Sequence, residues 1–400
     1  MAGRYVIIEG LEGRRLFSGF IPAQIDTAYG FNQITFNGGA VTGNGAGQTI
    51  ALIETYNDTT INQDLTNFDN AYGLSNPGSG WSLSVVGETG GAPPSTNATG
   101  DATLETALDL EWAHAVAPAA NIVVIEAASP YDSDLDAAVN YATSLKTVSV
   151  VSISYVRSEE NSADPGENAD FTTPANHQGI TFVAASGDQG SITWPSSSPN
   201  VVGVGGTSLT LNANNTYKSE TVWNNSHGAS GGGLSVVEPE PAYQMGVQNT
   251  GDRTTPDVAY DADPLTGFEI YVNGGTSPRV VAGTSAGAPQ WAALFAIADQ
   301  GRALNELGTL DGPSQTLPML YDLAGTPLYS QAFNDVTVGD NGTYGAGPGY
   351  DFATGLGSPQ ANVLVQYLAG NIAVPEPATL ALALMAGTFI FKRPRRRVGE

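Results

Sequence analysis

The sequence of 400 residues contains no cysteine and only three histidines. Without cysteine the chain can form no disulfide, has no thiolate nucleophile and offers no cysteine ligand to a metal. Basic residues are also few, because 14 Lys and Arg stand against 39 Asp and Glu and give a formal net charge of −25. This charge argues against nucleic acid or anionic lipid as a partner of the folded body. The negative charge is compatible with a protein that functions at acidic pH, where protonation of carboxylates would bring the net charge closer to zero.

Hydrophobic residues make up 41% of the chain, which is enough for a substantial core. Four apolar, β-branched runs predict buried strands at residues 48–54, 121–127, 148–155 and 180–186. Helical patterns occur at residues 65–72, 104–117, 132–145 and near 166–177. This alternation predicts one α/β domain over residues 21–370, with a mostly parallel central sheet and helices on both faces.

The two ends of the chain differ from this body. Residues 1–20 are too interrupted by charge for a secretory signal, so we interpret them as a leader or tail. Near the other end, Val374-Pro-Glu-Pro377 precedes 14 uncharged, mostly apolar residues at 378–391 and a cluster of five basic residues. The apolar run is shorter than the ~20 residues of a spanning helix. Its basic flank nevertheless predicts a membrane-inserted segment, with a buried core helix as the alternative.

Ser285 lies in the segment Gly283-Thr-Ser-Ala-Gly287, before Pro289 and a run of small residues with helical character. The two glycines allow a tight turn and a close approach of the backbone. Ser285 is therefore predicted at or near a helix N-terminus, where its hydroxyl is presented and its N–H can bind a developing anion. This makes Ser285 the candidate nucleophile. The alternative is a simple Gly/Ser turn that opens a packed helix.

A nucleophilic serine needs a base, and histidine is the usual one. The three histidines, His114, His177 and His227, do not lie in a sequence context typical of a catalytic histidine. We expect each of them to lie at the surface, or in the core with its ring nitrogens hydrogen-bonded. A conventional Ser-His-Asp enzyme therefore lacks a candidate base, and a carboxylate would have to activate Ser285.

Glu105 and Asp109 are four residues apart in a predicted helix and share one of its faces. Two carboxylates held close together share a proton and titrate as a pair. Such a pair could accept a serine proton in acid, where a histidine would already be protonated. The alternative is an exposed acidic helix face. Glu111 lies on another side of the helix and is expected to be solvated.

Asp188 follows the predicted strand at 180–186 in a Gly-Asp turn. Open α/β sheets bind their ligands at this end of the strands. A protonated Asp188 could donate a hydrogen bond and form an oxyanion hole together with the Ser285 N–H. An aspartate that only caps its own turn is the alternative.

These segments together resemble the sedolisins, the serine-carboxyl peptidases, over residues of about 21–368. Their SGTSxxxP motif matches 282–289 with Ala282 in place of Ser, their E-x-x-x-D helix matches 105–109, and their A-G-D turn matches 186–188 with Ser186 in place of Ala. Further matches follow in chain order at residues 51–54, 152–155, 194–207, 230–235 and 253–264. The resemblance implies a subtilisin-like fold and a triad of Ser285 as nucleophile, Glu105 as general base and Asp109 as its orienting partner. It places Asp188 in the oxyanion hole and the edges of the substrate cleft at residues 152–155 and 230–233.

The resemblance also implies one Ca²⁺ site near the end of the domain. Its ligands would be the carboxylates of Asp335 and Asp351 and the backbone carbonyls of Val336, Gly347 and Gly349. These are all oxygen donors, which calcium prefers. Without the resemblance, the segment would be interpreted as a glycine-rich turn that contains two aspartates.

The tail at residues 371–400 resembles the PEP-CTERM sorting signal of bacterial proteins. It implies export, transient insertion of the tail in a membrane, a processing enzyme as a partner, and a final location outside the cell or on its surface.

Two features depart from the sedolisin pattern. Tyr155 stands where many members have Trp, in a network with the glutamate that corresponds to Glu54. In addition, only about 20 residues precede the catalytic region, where members of the family carry a large pro-domain. Folding without a pro-domain, a pro-domain acting from elsewhere and a truncated start all remain open.

The function predicted from the sequence is a monomeric, exported, calcium-stabilised endopeptidase that acts on polypeptides at acidic pH. The alternative is a non-catalytic surface or matrix protein that retains the peptidase fold.

Overall fold

The computed structural model describes residues 19–159 and 164–374. The predicted leader up to residue 18 and the tail from Pro375 onward therefore lie outside the described residues, and their assignments stay predictions. Within the described ranges, no helix is both long enough and apolar enough to cross a membrane.

An eight-stranded sheet forms the centre of the structure. Its strands are β1 (Thr49–Thr55), β2 (Leu83–Gly87), β3 (Asn121–Ala127), β4 (Val150–Ile153), β5 (Thr181–Ala185), β6 (Val201–Leu211), β7 (Tyr217–Val222) and β8 (Val258–Asp261). The hydrogen-bonded order is β7-β6-β5-β4-β1-β3-β2, and β8 also pairs with β6. All neighbours are parallel except the β6–β7 hairpin. The predicted α/β class with a mostly parallel sheet is confirmed.

Seven helices of six or more residues surround this sheet in the described chain. They are α1 (Pro22–Tyr29), α2 (Ile61–Tyr72), α3 (Asp101–Val116), α4 (Asp132–Ser144), α5 (Thr284–Leu304), α6 (Leu317–Asp322) and α7 (Ala361–Leu368). Shorter helical segments are Phe31–Gln33, Asn37–Gly39, Asp164–Glu167, Asn168–Phe171, Gly312–Thr316 and Tyr329–Ala332. The helical pattern expected near 166–177 is thus limited to two short turns that end at Phe171.

Six antiparallel pairs of short strands complete the described elements. They are Thr35–Phe36 with Val41–Thr42, Arg157–Ser158 with Thr193–Trp194, Asn224–Asn225 with Gly228–Ala229, Gly233–Pro239 with Asp252–Thr255, Phe268–Ile270 with Arg279–Val281, and Phe333–Asn334 with Ser358–Pro359.

Alternate residues of the central strands point into two separate cores. In β1, Ile50 and Leu52 pack into the core that contains α3 and α5, whereas Ala51 and Ile53 pack into the core that contains α4. This follows from the period of two along a strand, and it makes each strand apolar on both sides. Helices therefore cover both faces, as the sequence predicts.

The carboxyl ends of the parallel strands meet at one edge of the sheet. β1 ends just after Glu54, β4 ends just before Ser154, and β5 ends three residues before Asp188. Since α3 and α5 pack against each other on one face of the sheet, side chains from both helices can reach this edge.

Candidate active site

Ser285 is the second residue of α5, which is 21 residues long. The turn before it depends on Gly283, whose φ of 133° is a conformation that L side chains rarely adopt. The helix continues into the core and is almost entirely buried, whereas Ser285 is partly exposed. The structure thus places the predicted nucleophile at the solvent end of a rigid, buried helix.

Glu105 lies on α3 and accepts a hydrogen bond from the Ser285 side chain. Burial raises the pKa of Glu105 well above its ordinary value, and the negative charges of Asp109 and Asp188 raise it further. The hydrogen bond from Ser285 opposes this shift by favouring the carboxylate. A carboxyl group with a raised pKa therefore contacts the serine hydroxyl directly.

Asp109 lies one turn further along α3 and is completely buried. The Ser154 hydroxyl donates to Asp109 Oδ2 at 2.7 Å, and a second hydrogen bond joins Asp109 to the Glu54 side chain. Burial raises the pKa of Asp109 to about 7, although both hydrogen bonds act to lower it. Two carboxyl groups can form a hydrogen bond only if one of them carries a proton.

Glu54 is the protonated partner in this pair. Burial raises the pKa of Glu54 well above its ordinary value, and the charges of Asp109 and Glu105 add to the effect. The bond between the two carboxyl groups raises the pKa of Glu54 and lowers that of Asp109, which makes Glu54 the donor. Glu54, Asp109 and Glu105 thus form a buried group of carboxyls that ends at Ser285, and we call these three residues the carboxyl chain.

Asp188 lies against the first turn of α5, where it contacts Thr284, the residue before Ser285. Its Oδ1 accepts hydrogen bonds from the Thr284 N–H and the Thr284 hydroxyl, each at 2.8 Å. The Gly187 N–H donates to the same hydroxyl at 3.0 Å. Burial raises the pKa of Asp188 to about 6, so in acid this side chain is neutral and has a proton to donate.

The prediction that Glu111 is solvated is wrong, and so is the alternative of an exposed acidic face for Glu105 and Asp109. Glu111 is fully buried and accepts the Tyr271 N–H at 2.9 Å. Helix α3 is buried along all its residues from Ala102 to Val116. The sequence argument assumed that one side of the helix faces water, but the sheet, α2 and α5 leave it no such side.

The three histidines lie in other surroundings. His114 is buried, with Nε2 3.3 Å from Asp69 Oδ1 and its ring stacked on Trp81. His177 bonds two backbone carbonyls with its ring nitrogens, and His227 is exposed.

Asp335 and Asp351, the predicted calcium ligands, come together at a glycine-rich loop. The Gly349 N–H donates to both carboxylate oxygens of Asp335 at 3.1 Å, and the Gly347 N–H donates to Asp351 Oδ2 at 3.0 Å. Burial is the main cause of a raised pKa of the Tyr329 hydroxyl, and the negative charges of Asp335 and Asp351 raise this pKa further. Both carboxylates supply oxygen donors of the kind that calcium takes, and in the structure each accepts a backbone N–H of the loop. The described residues contain no cluster of three or more His, Asp or Glu side chains suited to a metal.

Comparisons with known proteins agree with this geometry. The chain is 35% identical to kumamolisin from Bacillus sp. (strain MN-32) over 367 residues, which cover 83% of this chain and 62% of that protein. It is 34% identical to sedolisin from Pseudomonas sp. (strain 101) over 270 residues, covering 60% of this chain and 44% of that protein. The solved structure of Pseudomonas sedolisin, a serine-carboxyl proteinase complexed with two molecules of pseudo-iodotyrostatin, superposes with a TM-score of 0.74. That superposition has 29% identity and covers 89% of this chain and 100% of the other.

The chain has the fold of a sedolisin catalytic domain. The subtilisin-like class expected from the sequence is thereby confirmed, and the similarity supports a serine-carboxyl peptidase. The chain spans only about three-fifths of the length of kumamolisin and less than half that of sedolisin. No family model matches the chain.

Several residues of this sedolisin-like site were not singled out from the sequence by their own chemistry. Thr284 holds Asp188 with two hydrogen bonds, and Ser154 holds Asp109. Glu54 entered only through the resemblance. Their position in the sequence could have identified Glu54 and Ser154 as site residues, because both lie at the carboxyl ends of predicted strands.

Tyr155 does not replace the missing Trp beside Glu54. It packs in the core on the α4 side of the sheet, where burial raises its pKa and the charges of Asp136 and Asp132 add to the shift.

Proposed function

We propose that the protein is an endopeptidase that hydrolyses peptide bonds in polypeptides at acidic pH, with Ser285 as nucleophile. The observation that carries the proposal is the hydrogen bond from the Ser285 hydroxyl to Glu105, a buried carboxyl group. A serine hydroxyl is a weak nucleophile until a base accepts its proton. Glu105 is positioned to do so, because the hydrogen bonds from Ser285 and Ser154 favour its charged, proton-accepting form against the effect of burial.

In this mechanism Ser285 Oγ attacks the scissile carbonyl carbon while its proton passes to Glu105. The carbonyl oxygen gains the negative charge and accepts hydrogen bonds from the Ser285 N–H and from protonated Asp188. Glu105 then gives its proton to the leaving amine, so the C–N bond breaks and an acyl-enzyme remains. Water then attacks the acyl carbon while Glu105 accepts its proton. Glu105 returns this proton to Ser285 Oγ, so the bond between the acyl carbon and Oγ breaks and the carboxylic acid is released.

Asp109 and Glu54 support Glu105 without contacting the substrate. Because Asp109 is held by Ser154 and Glu54, its carboxylate stays fixed beside Glu105. Burial raises the pKa of Asp109 to about 7, so its charge disfavours a charged Glu105 only near and above that pH, and in acid Asp109 acts by orienting Glu105. The proton on Glu54 limits the total charge that accumulates in this buried group.

We further propose one Ca²⁺ ion at Asp335, Asp351 and the carbonyls of Val336, Gly347 and Gly349. When bound, the ion would neutralise the two carboxylates and stabilise the loop. It would have a structural role and would not take part in bond breaking. Export of the protein, processing of the tail at 371–400 and a monomeric state belong to the same proposal.

The test is hydrolysis of a denatured protein substrate from about pH 2.5 to 8, in the presence of calcium, by the wild type and by Ser285→Ala. Ser144→Ala is the matched control, because this exposed serine ends α4 on the opposite face of the sheet. We expect activity that peaks in acid, that Ser285→Ala abolishes and that Ser144→Ala leaves unchanged. Activity that survives in Ser285→Ala, or that peaks above pH 7, would contradict the proposal.

A folded, calcium-loaded wild type without activity would favour the non-catalytic alternative. Addition of a sedolisin pro-domain during refolding would then distinguish an unassembled enzyme from a binding protein.

A further inference from the structure

Glu126 lies beside Glu54 at the edge of the sheet where the carboxyl chain begins. The two residues are register partners on the parallel strands β1 and β3. Partners in register point to the same face of a sheet, and neighbouring strands lie about 4.8 Å apart. Both side chains therefore belong to the face that α3 covers, together with the core residues Leu52 and Val124.

The Glu126 carboxyl is completely buried and only half satisfied. Its Oε1 accepts the Asp58 N–H at 2.8 Å. Its Oε2 has no hydrogen-bond partner among the described residues. Burial of a charged carboxyl group with an unbonded oxygen destabilises the fold, and protonation of the group lowers this cost. An unsatisfied group of this kind in a folded protein calls for an explanation, such as a functional role.

The hydrogen bond to Asp58 closes the turn that follows Glu54. Within that turn Tyr56 has a φ of 63°, which is unusual for a residue with a side chain and carries strain. The Tyr56 N–H donates to the Ala127 carbonyl at 2.8 Å, and Glu126 then fixes residue 58. Two successive contacts from the end of β3 thus fix the backbone directly after Glu54.

The groups around Glu126 and Glu54 are carboxyls. Asp109 and Glu105 face Glu54 from α3, and Asp58 faces Glu126 from the turn before α2. Burial raises the pKa of Glu126 to about 7, and the charge of Asp58 adds to this shift. The pKa of Glu54 is raised first by burial, then by Asp109 and Glu105, and also by Glu126.

We propose that Glu126 is a positioning residue of the carboxyl chain: lying beside Glu54, it keeps the Glu54 proton on the hydrogen bond to Asp109. This inference rests on the proposed function. In acid Glu126 is neutral and only holds the turn. As the pH approaches 7 it ionises, and its negative charge opposes ionisation of Glu54. Glu54 then retains its proton to a higher pH than it would without the charge of Glu126.

The test is the pH profile of kcat/KM for Glu126→Gln. Glutamine keeps an oxygen that can accept the Asp58 N–H but cannot ionise, so it separates the charge from the structural contact. We expect the acidic limb to be unchanged and the neutral limb to move to lower pH by about one unit, the size of shift typical of interacting carboxyls. Asp188 also titrates on the neutral side, so both profiles are repeated in an Asp188→Asn background.

Glu111→Gln is the matched control. Glu111 is also fully buried, accepts one backbone N–H at 2.9 Å and has one oxygen without a partner among the described residues. Besides burial, the charges that raise its pKa most are those of Asp64, Asp69 and Asp58. We expect its pH profile to coincide with that of the wild type.

A second measurement does not depend on activity. Thermal unfolding of Glu54→Gln, Glu126→Gln and the double variant forms a cycle that reports the coupling of the two residues. We expect coupling near pH 7.5, where Glu126 is charged, and none near pH 4. The Glu54→Gln and Glu111→Gln pair should be additive at both values.

Three results would overturn the inference. One is a Glu126→Gln profile that coincides with the wild type in both backgrounds. Another is an equal loss of activity at every pH, which would mark a merely structural role. The third is an additive cycle near pH 7.5. An inactive wild type would instead remove the proposed function, and with it any catalytic role for Glu126, so the two failures are distinguishable.

Discussion

A Cβ atom placed on Gly283 would lie 2.5 Å from Oδ2 of Asp188. This distance is far inside van der Waals contact, so a side chain at position 283 and the observed Asp188 cannot coexist. Gly283 therefore belongs to the proposed oxyanion hole, because it leaves the space that the Asp188 carboxyl occupies.

Gly283→Ala should reduce kcat on the order of 10²-fold to 10³-fold, the effect of losing one oxyanion donor. The added methyl group would displace Asp188, and the φ of 133° would strain the turn as well. Steady-state kinetics near the acidic optimum, with circular dichroism as a check on folding, would measure this. Gly47→Ala is the control, because Gly47 also has a positive φ, of 84°, but open space around it. Equal kcat values for Gly283→Ala and the control would contradict the steric argument.

The state of Asp188 should set part of the pH dependence. Because burial raises its pKa to about 6, the donor form is present below that pH and disappears above it. Wild-type kcat/KM should therefore decline as the pH rises through about 6. Asp188→Asn keeps a donor at every pH, so its residual activity should decline only at higher pH, whereas Asp188→Ala should lose on the order of 10²-fold or more. An Asp188→Ala variant with wild-type kcat would exclude a role in the oxyanion hole.

The positions of these residues were predictable to different degrees. The spacing of Glu105 and Asp109 placed them on one face of a helix, and the small residues around Ser285 placed it at a helix start. Local sequence is sufficient for both. The burial of α3 was not predictable, because it depends on the elements that surround the helix, and for this reason Glu111 was misjudged.

Asp261 should make the fold more stable in acid than at neutral pH. It is fully buried, and burial raises its pKa well above the ordinary value. A raised pKa in the folded state gives stability that is fully present below the unfolded pKa of about 4 and is lost as the pH rises through the folded value. Asp261→Asn can keep the acceptor for the Leu209 N–H and the Thr266 hydroxyl, each at 2.8 Å.

We therefore expect Asp261→Asn to raise Tm by a few degrees near pH 7.5 and to change it little near pH 4. Differential scanning calorimetry at both values would test this. Asp252→Asn, at an exposed position, should change Tm at neither. A Tm gain of equal size at both pH values would show that charge burial is not the cause.

Calcium should stabilise the wild type, since an ion that binds only the folded state raises Tm by mass action. Removal by a chelator should lower the wild-type Tm, and added calcium should restore it. Asp335→Asn should lose most of this response, whereas Asp340→Asn, an exposed aspartate near the same loop, should retain it. An Asp335→Asn variant with the full response would place the ion elsewhere.

The pairing of Glu54 with Glu126 marks a limit of prediction from the sequence. Each residue is the penultimate one of a strand that the sequence predicts, yet 72 positions separate them. Their contact depends on the order of strands, in which β3 pairs with β1 although β2 comes between them in the chain. Periodicity assigns a residue to a face, but it does not say which strands are neighbours.

Helix α5 carries Ser285, the proposed nucleophile, at its first turn and fills the centre of the larger core with the rest of its length. The serine can therefore change its position only if the interior of the protein is repacked. On heating, the rate of inactivation should equal the rate of global unfolding, without an earlier phase in which activity is lost from a folded protein. Residual activity would then serve as a direct measure of the folded fraction.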